Sequence, residues 1–281
     1  IYGDRDPGDV IHKMNTRKDK YDISGKVHIR EGEEKIHAMM EDYEGVIIWD
    51  LPSQIRNKYL KYCFSHSIRC YMSPKISDII LLGTDRIHLF DTPLLMCRNQ
   101  GLSMEQRAAK RVLDIIVSGL GIIVSSPIML IIAIAVKAYD GGPVFYLQDR
   151  LTYQGKEFRI RKFRSMCVDS EKNGARLASK HDSRITPVGH VLRNLHLDEL
   201  PQLFNVFMGD MSLVGPRPER DVIMQEYEQE IPEFHYRLKV KAGLTGYAQV
   251  YGKYNTTPYD KLKLDLFYIE NYSFLLDIKL L

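Results

Sequence analysis

Apolar positions follow three successive rhythms along the chain. In residues 1–95 short apolar runs alternate with helical spacing. Val46–Trp49 reads as a buried strand closed by Asp50-Leu51-Pro52, Asn57–Ser65 as a helix, and Ile68–Met72 as the next strand, stopped by Ser73-Pro74. This alternation predicts a small parallel α/β unit, with Ile1-Tyr2-Gly3-Asp4 as the end of a first strand and its turn. From Ile115 to Val136 no charged residue occurs. As a helix that run matches a hydrocarbon core about 30 Å thick, and it lacks the polar face of a soluble amphipathic helix. Ser125-Ser126-Pro127 falls near its middle, where proline removes a helix hydrogen bond and bends the axis.

The third rhythm fills residues 138–281. A turn at Gly141-Gly142-Pro143 leads into a strand carrying Gln148, Asp149 and Arg150, and a turn at Gly155 precedes a second strand, Phe158–Met166. Val188–Leu195 has helical spacing. Another helix is expected from Asp198 as N-cap, through Pro201 in its first turn, to Gly209 as its stop. Leu200, Leu203, Phe204 and Phe207 supply its buried stripe. Lys239–Val250 reads as a hairpin-like segment with turns at Gly243 and Gly246.

Charge changes the reading of the apolar helix. Its flanks are basic on both sides, with Arg107, Lys110 and Arg111 before it and Lys137, Arg150, Lys156, Arg159, Arg161, Lys162 and Arg164 after it. The positive-inside tendency puts both ends on the cytoplasmic side, which a helix bent at Ser126-Pro127 satisfies by entering and leaving through one leaflet. The net charge of the 281 residues, +3, is too small to imply nucleic acid. The four cysteines form no CxxC pair, which favours a reduced, cytosol-facing location. The chain opens on Ile1 and closes on Leu280-Leu281, and it reads as part of a longer protein.

Chemistry concentrates in Leu197–Glu219, LDELPQLFNVFMGDMSLVGPRPE. Asp198 and Glu199 are adjacent carboxylates. Asp198 has a plain role as a helix cap and a second one as a nucleophile kept ionised by the helix dipole, with Glu199 holding a divalent metal. Arg217 lies between Pro216 and Pro218. It either pairs with Glu219 or a helix end, or serves as a bidentate phosphate clamp. The basic strand around Lys162 is equally a solvated edge, a headgroup-contacting patch or a phosphate-facing strip.

From Lys110 onward, KRVLDIIVSGLGIIVSSPIML, GGPVFYLQDR, KFRSM, LRNLHLDELPQLFNVFMGDMSLVGPRPE and KAGLTGYAQV occur in that order. On these blocks the chain resembles the bacterial sugar transferase family, the monotopic polyprenyl-phosphate phosphoglycosyl transferases, and residues 1–95 are similar to the Rossmann-like region of its long members. The resemblance implies transfer of a sugar 1-phosphate from a UDP-sugar to a polyprenyl phosphate such as undecaprenyl phosphate, a first membrane step in exopolysaccharide, capsule or glycoconjugate assembly. It implies Asp198 as nucleophile, Glu199 as the Mg²⁺ ligand, and Lys162, Arg193 and Arg217 as phosphate-binding groups. Arg164, Gln148 and Arg150 are expected in support, and Asp265 as a late acidic site residue. The expected organisation is an N-terminal α/β Rossmann-like domain truncated at its start (1–95), a linker (96–109), a re-entrant membrane helix (110–137) and an α+β catalytic domain truncated at its end (138–281). Membrane lipids at the cytoplasmic face of the bacterial inner membrane are the expected surroundings, and a homodimer is compatible. Two other readings stay open: a phosphotransferase or phosphohydrolase acting on lipid pyrophosphates, and a membrane-anchored nucleotide-sensing or assembly scaffold without turnover.

Overall fold

A computed structural model describes residues 1–97, 101–168, 182–253 and 256–281, in two compact units, Ile1–Lys75 and Ile76–Leu281. In the first unit, helices α1 (Gly8–Asn15) and α2 (Glu33–Glu41) precede strand β1 (Gly45–Ile48), and α3 (Ser53–Ser65) connects β1 to β2 (Arg69–Met72). β1 and β2 pair in parallel, as a β-helix-β crossover requires. Tyr2 bridges His28 on one side and Trp49 on the other, also in parallel, so the sheet continues past β1. Ile36, Met40, Val46, Ile48, Leu51 and Tyr59 form its core.

The second unit begins earlier than residue 95. Helix α4 (Ile76–Leu82) buries Ile76 and Ile79 in one core with Leu262, Leu266 and Ile269 of α10 (Pro258–Glu270), and those long-range apolar contacts bind it to the later chain. The hairpin β3 (Asp85–Leu89) and β4 (Thr92–Met96) follows. Positions 98–100 of the expected linker lie outside the described residues, and by Met104 the chain is already helical.

Helix α5 runs from Met104 to Asp140. Ser103 opens it with a capping box, its hydroxyl accepting from the Gln106 amide at 3.2 Å while the Gln106 side chain accepts from the Ser103 amide at 2.8 Å. Gly141, at φ 70, closes it in the left-handed conformation. Pro127 lies inside the helix without ending it. Having no N–H, Pro127 leaves the Ile123 carbonyl without its usual helix donor, and the Ser126 hydroxyl donates to that carbonyl at 2.8 Å instead. Ser125 likewise donates to the Gly121 carbonyl at 2.6 Å. Ile123, Val124, Leu130, Ile131 and Ile134 are exposed on α5, a large apolar surface on a helix long enough to cross a membrane.

Both halves of α5 rest on the same body. Near its start, the Lys110 ammonium donates to Asp277 at 2.6 Å and to the Tyr268 hydroxyl at 2.9 Å, all buried. Arg111 donates to the carbonyls of Val206 and Phe207, at 2.7 Å each, and Asp114 accepts from the Ser212 hydroxyl and the Leu213 amide, at 2.9 Å each. Toward its end, Met129, Ile132 and Val136 share a core with Phe163 and Leu192.

Strands β5 (Phe145–Leu151) and β6 (Glu157–Phe163) pair antiparallel, with Tyr146 opposite Lys162, Gln148 opposite Ile160 and Arg150 opposite Phe158. Cross-strand partners share a face, so Tyr146, Gln148, Arg150 and Lys162 lie on one side. Helix α6 (Pro187–Asn194), a single 3₁₀ turn (Leu197–Glu199) and helix α7 (Gln202–Met208) follow. Strand β7 (Ser212–Val214), helix α8 (Asp221–Glu230), a 3₁₀ segment (Pro232–Lys239), β8 (Gly243–Thr245), α9 (Tyr247–Tyr251), α10 and α11 (Phe274–Leu280) complete the unit. The expected hairpin over 239–250 is not formed: β8 pairs in parallel with β7 instead. At that crossing the backbones of Gly215 and Gly243 approach too closely for a Cβ on either, which fixes both positions as glycine.

Candidate active site

The two carboxylates are presented by a strained turn rather than by a helix cap. His196 takes a left-handed conformation, at φ 56, and reverses the chain at the end of α6. Asp198 and Glu199 then occupy the single 3₁₀ turn, and helix α7 starts only at Gln202, with Pro201 in the N-cap position. Asp198 therefore makes no capping hydrogen bond, and the expected N-cap position is taken by Pro201 instead. Gly209 does end α7, at φ 91.

Two cations converge on Glu199. The Lys162 ammonium, from β6, lies 2.6 Å from Glu199 Oε1, and Arg217 Nη2, from the loop after β7, lies 3.4 Å from the same oxygen. Burial pushes the Glu199 carboxyl up, but the Lys162 and Arg217 charges outweigh burial and hold it below its ordinary range. The neighbouring Asp198 is 9% exposed. Burial raises its pKa, with Glu199 adding to the rise and Lys162 and Arg193 opposing it. The turn thus carries one tightly neutralised carboxylate beside one that is less stabilised as an anion and so more basic.

The surrounding residues hold this arrangement. Arg193, on α6, donates from Nε to the Ser165 hydroxyl at 2.8 Å, while its charge acts on Asp198. Gly189 lets α6 approach that segment, since a Cβ there would overlap the Ser165 carbonyl. Arg164 is tied elsewhere: its Nη1 donates to Asp140 at 2.6 Å and its Nε to the Pro143 carbonyl at 2.7 Å, joining the end of β6 to the end of α5. The Arg164 guanidinium and the Gly142 amide hold the Asp140 carboxyl down at about 2. Gln148 donates to the Tyr146 hydroxyl at 2.7 Å and accepts from Arg150 at 2.6 Å, and Arg150 donates to the Pro218 carbonyl at 3.0 Å. Asp265 is buried on α10 with Arg237 Nη2 at 2.7 Å, and burial pushes it up to about 6 against the pull of Arg237.

Lys162, Glu199 and Arg217 are therefore brought together beside Asp198, with Arg193 acting on it through space. Arg164, Gln148, Arg150 and Asp265 are engaged with protein partners around that centre. Sequence reading missed Ser165 and Arg237, and offered Glu219 only as a partner of Arg217. Ser165 and Glu219 do occur in the KFRSM and GPRPE blocks, whereas Arg237 falls in an unremarked stretch, FHYRLK.

Among the described residues no three His, Cys, Asp or Glu side chains converge as a metal cage. Glu199, the expected Mg²⁺ ligand, nonetheless has the chemistry for that role, because Mg²⁺ commonly takes one or two carboxylates and completes its octahedron with water and substrate phosphate oxygens.

A carboxylate pair with lysine and arginine beside it thus lies on a body that also carries an exposed apolar helix long enough to cross a membrane. The chain belongs to the bacterial sugar transferase family, whose model matches residues 105–281. It is 45% identical over 172 residues to a UDP-N-acetylgalactosamine-undecaprenyl-phosphate N-acetylgalactosaminephosphotransferase of Aeromonas hydrophila, covering 60% of this chain and 41% of that protein. It is 38% identical over 258 residues to a UDP-glucose:undecaprenyl-phosphate glucose-1-phosphate transferase of Klebsiella pneumoniae, covering 88% and 53%. An undecaprenyl-phosphate galactose phosphotransferase of Salmonella typhimurium is 37% identical over 226 residues, covering 74% and 46%. The chain thus spans about half the length of these curated relatives.

Proposed function

We propose that this chain transfers a sugar 1-phosphate from a UDP-sugar to a polyprenyl phosphate at the cytoplasmic face of a bacterial inner membrane. The observation that carries the reading is the convergence of Lys162 and Arg217 on Glu199, next to a buried and more basic Asp198. An Asp198 oxygen attacks the β-phosphorus of the donor, the bond to the bridging oxygen breaks, and UMP leaves with the electron pair. The sugar phosphate is then held as an acyl phosphate on Asp198. A phosphate oxygen of the lipid acceptor attacks the same phosphorus, the Asp198 oxygen–phosphorus bond breaks, and the diphosphate-linked sugar departs. One site thereby serves a soluble donor and a lipid acceptor in turn.

Lys162 and Arg217 bind the diphosphate and offset the charge spread over the phosphoryl oxygens as the bonds exchange. Arg193 tempers the Asp198 charge. Bound through Glu199, Mg²⁺ would neutralise further phosphate charge. The test is UMP release across a panel of UDP-sugars. We expect release with one or a few of them, dependent on Mg²⁺ and stopped by a chelator. No release from any member of the panel would end the reading.

The proposal includes a same-side, re-entrant placement of α5 and a Rossmann-like assignment for the first unit. Lys110, Arg111 and Asp114 at one end of α5, and Met129, Ile132 and Val136 toward the other, all pack on the body that carries the site. A straight span would draw one of those ends across the bilayer. Single cysteines placed at Gln106 and at Tyr139 should both react with a membrane-impermeant maleimide from the cytoplasmic side alone. Labelling from opposite sides would exclude the re-entrant form.

A further inference from the structure

The loop that bears Arg217 is held entirely from behind. The Pro216 carbonyl accepts from the Gly243 amide at 2.9 Å and the Glu219 carbonyl from the Leu151 amide at 3.0 Å. Between them, the Arg217 carbonyl accepts from Arg237 Nη2 at 3.1 Å and the Pro218 carbonyl from Arg150 Nη1 at 3.0 Å. Pro216 and Pro218 have no N–H, so fixation falls on these carbonyls. Both prolines are buried, whereas the Arg217 side chain is 50% exposed.

Of the two guanidiniums, Arg237 is the deeper, its side chain 4% exposed and its charge lying over the Phe234 ring at 5.0 Å. A cation so removed from water keeps one geometry only with an anion beside it. Asp265, 1% exposed, supplies that anion at 2.7 Å, and Glu219 Oε1 lies 3.7 Å from the other Arg237 nitrogen. Arg237 Nη2 therefore lies between two groups at once, donating to the Arg217 carbonyl on the loop and held in an ion pair with the Asp265 carboxylate on α10, whose oxygens have no hydrogen-bond partner.

We propose that Asp265 and Arg237 are positioning residues for Arg217: Asp265 orients the Arg237 fork, and the fork fixes the Arg217 backbone so that its guanidinium reaches the Glu199 carboxylate and the donor diphosphate. The proposal rests on the phosphoglycosyl-transfer reading for its ligand. It moves Asp265 from a substrate-binding role to one exerted through two arginines. A buried pair that only stabilised the fold would have no preference for Arg217, and this is what separates the two ideas.

The experiment uses the full chain in nanodiscs, with Asp265→Asn, which keeps the side-chain size, and Arg237→Lys, which keeps a cation for Asp265 but loses the fork. Kinetics are read on variants that retain the wild-type melting temperature, and Arg237→Lys stands in if Asp265→Asn fails to fold. Each variant should lower kcat/KM for the UDP-sugar about tenfold, with the same division between kcat and KM that Arg217→Ala shows. In the Arg217→Ala background, Asp265→Asn should cost less than about twofold more, because both act through one group. Additive losses, or a division between kcat and KM unlike that of Arg217→Ala, would overturn the proposal. Hydrogen exchange provides a readout free of the reaction: the Leu151 and Gly243 amides, which donate to the Glu219 and Pro216 carbonyls of the loop, should exchange about tenfold faster in both variants. If the wild-type protein releases no UMP from any UDP-sugar, the functional reading fails while exchange still decides the positioning role, and unchanged exchange would refute it.

Discussion

Asp198→Asn should abolish both UMP release and covalent capture of the sugar phosphate. The asparagine amide nitrogen has its lone pair delocalised and its oxygen carries no full charge, so neither atom can displace UMP. Loss of a nucleophile that acts as part of a unit costs a factor on the order of 10⁴ or more. The substitution is nearly isosteric, and Asp198 makes no capping hydrogen bond that its loss would break, so the fold should persist. Two measurements check this. Without lipid acceptor, the wild-type protein should give a burst of UMP stoichiometric with enzyme and gain the mass of one phosphosugar. Asp198→Asn should give neither. A variant that keeps the burst would place the nucleophile elsewhere.

Lys162→Met should produce the second largest loss. The ammonium at 2.6 Å from Glu199 has two tasks, neutralising that carboxylate in the resting site and meeting phosphate oxygens in the reacting one. Methionine fills a similar volume without charge, leaving Arg217, at 3.4 Å, as the remaining cation against Glu199. The Glu199 carboxyl should then titrate higher, because Arg217 alone would oppose burial. A preorganised charge aimed at the transferring group contributes a factor of roughly 10² to 10³, and the single-turnover rate of UMP release should fall by about that much. A loss confined to KM, with the single-turnover rate unchanged, would limit Lys162 to ground-state binding.

Much of this site could be read from the sequence because its determinants are local. The uncharged run after Ile115, the adjacency of Asp198 and Glu199, the stop at Gly209 and the double proline around Arg217 are each visible within one short window. The failures are of two kinds. Asp198 looked like a helix cap because Pro201 and the apolar stripe that follows it mimic a helix start. What decides otherwise is the left-handed His196, a conformation that its side chain does not announce. The other failures concern distance along the chain. Lys162 meets Glu199 across 37 positions, β8 pairs with β7 rather than folding back on its own neighbour, and Arg237 couples Asp265 to the Arg217 loop. Periodicity reports which face a residue occupies but not which remote residue it will face. The division of the compact units after Lys75 has the same origin, since only the packing of α4 beside α10 assigns Ile76 and Ile79 to the later chain.

Helix α7, which starts just after the reactive turn, lies directly on the apolar helix. Gly119 and Gly121 of α5 face Phe207 and Leu203 of α7, and a Cβ on Gly121 would come within 3.3 Å of Leu203. In the proposed reaction, the lipid acceptor therefore arrives by lateral diffusion within a sheet of lipid, while the nucleotide donor arrives from solution. The second half-reaction should follow the mole fraction of polyprenyl phosphate in the bilayer rather than its amount per volume. Adding inert lipid at constant acceptor would slow turnover by diluting a surface, although the bulk concentrations of enzyme, donor and acceptor stayed the same.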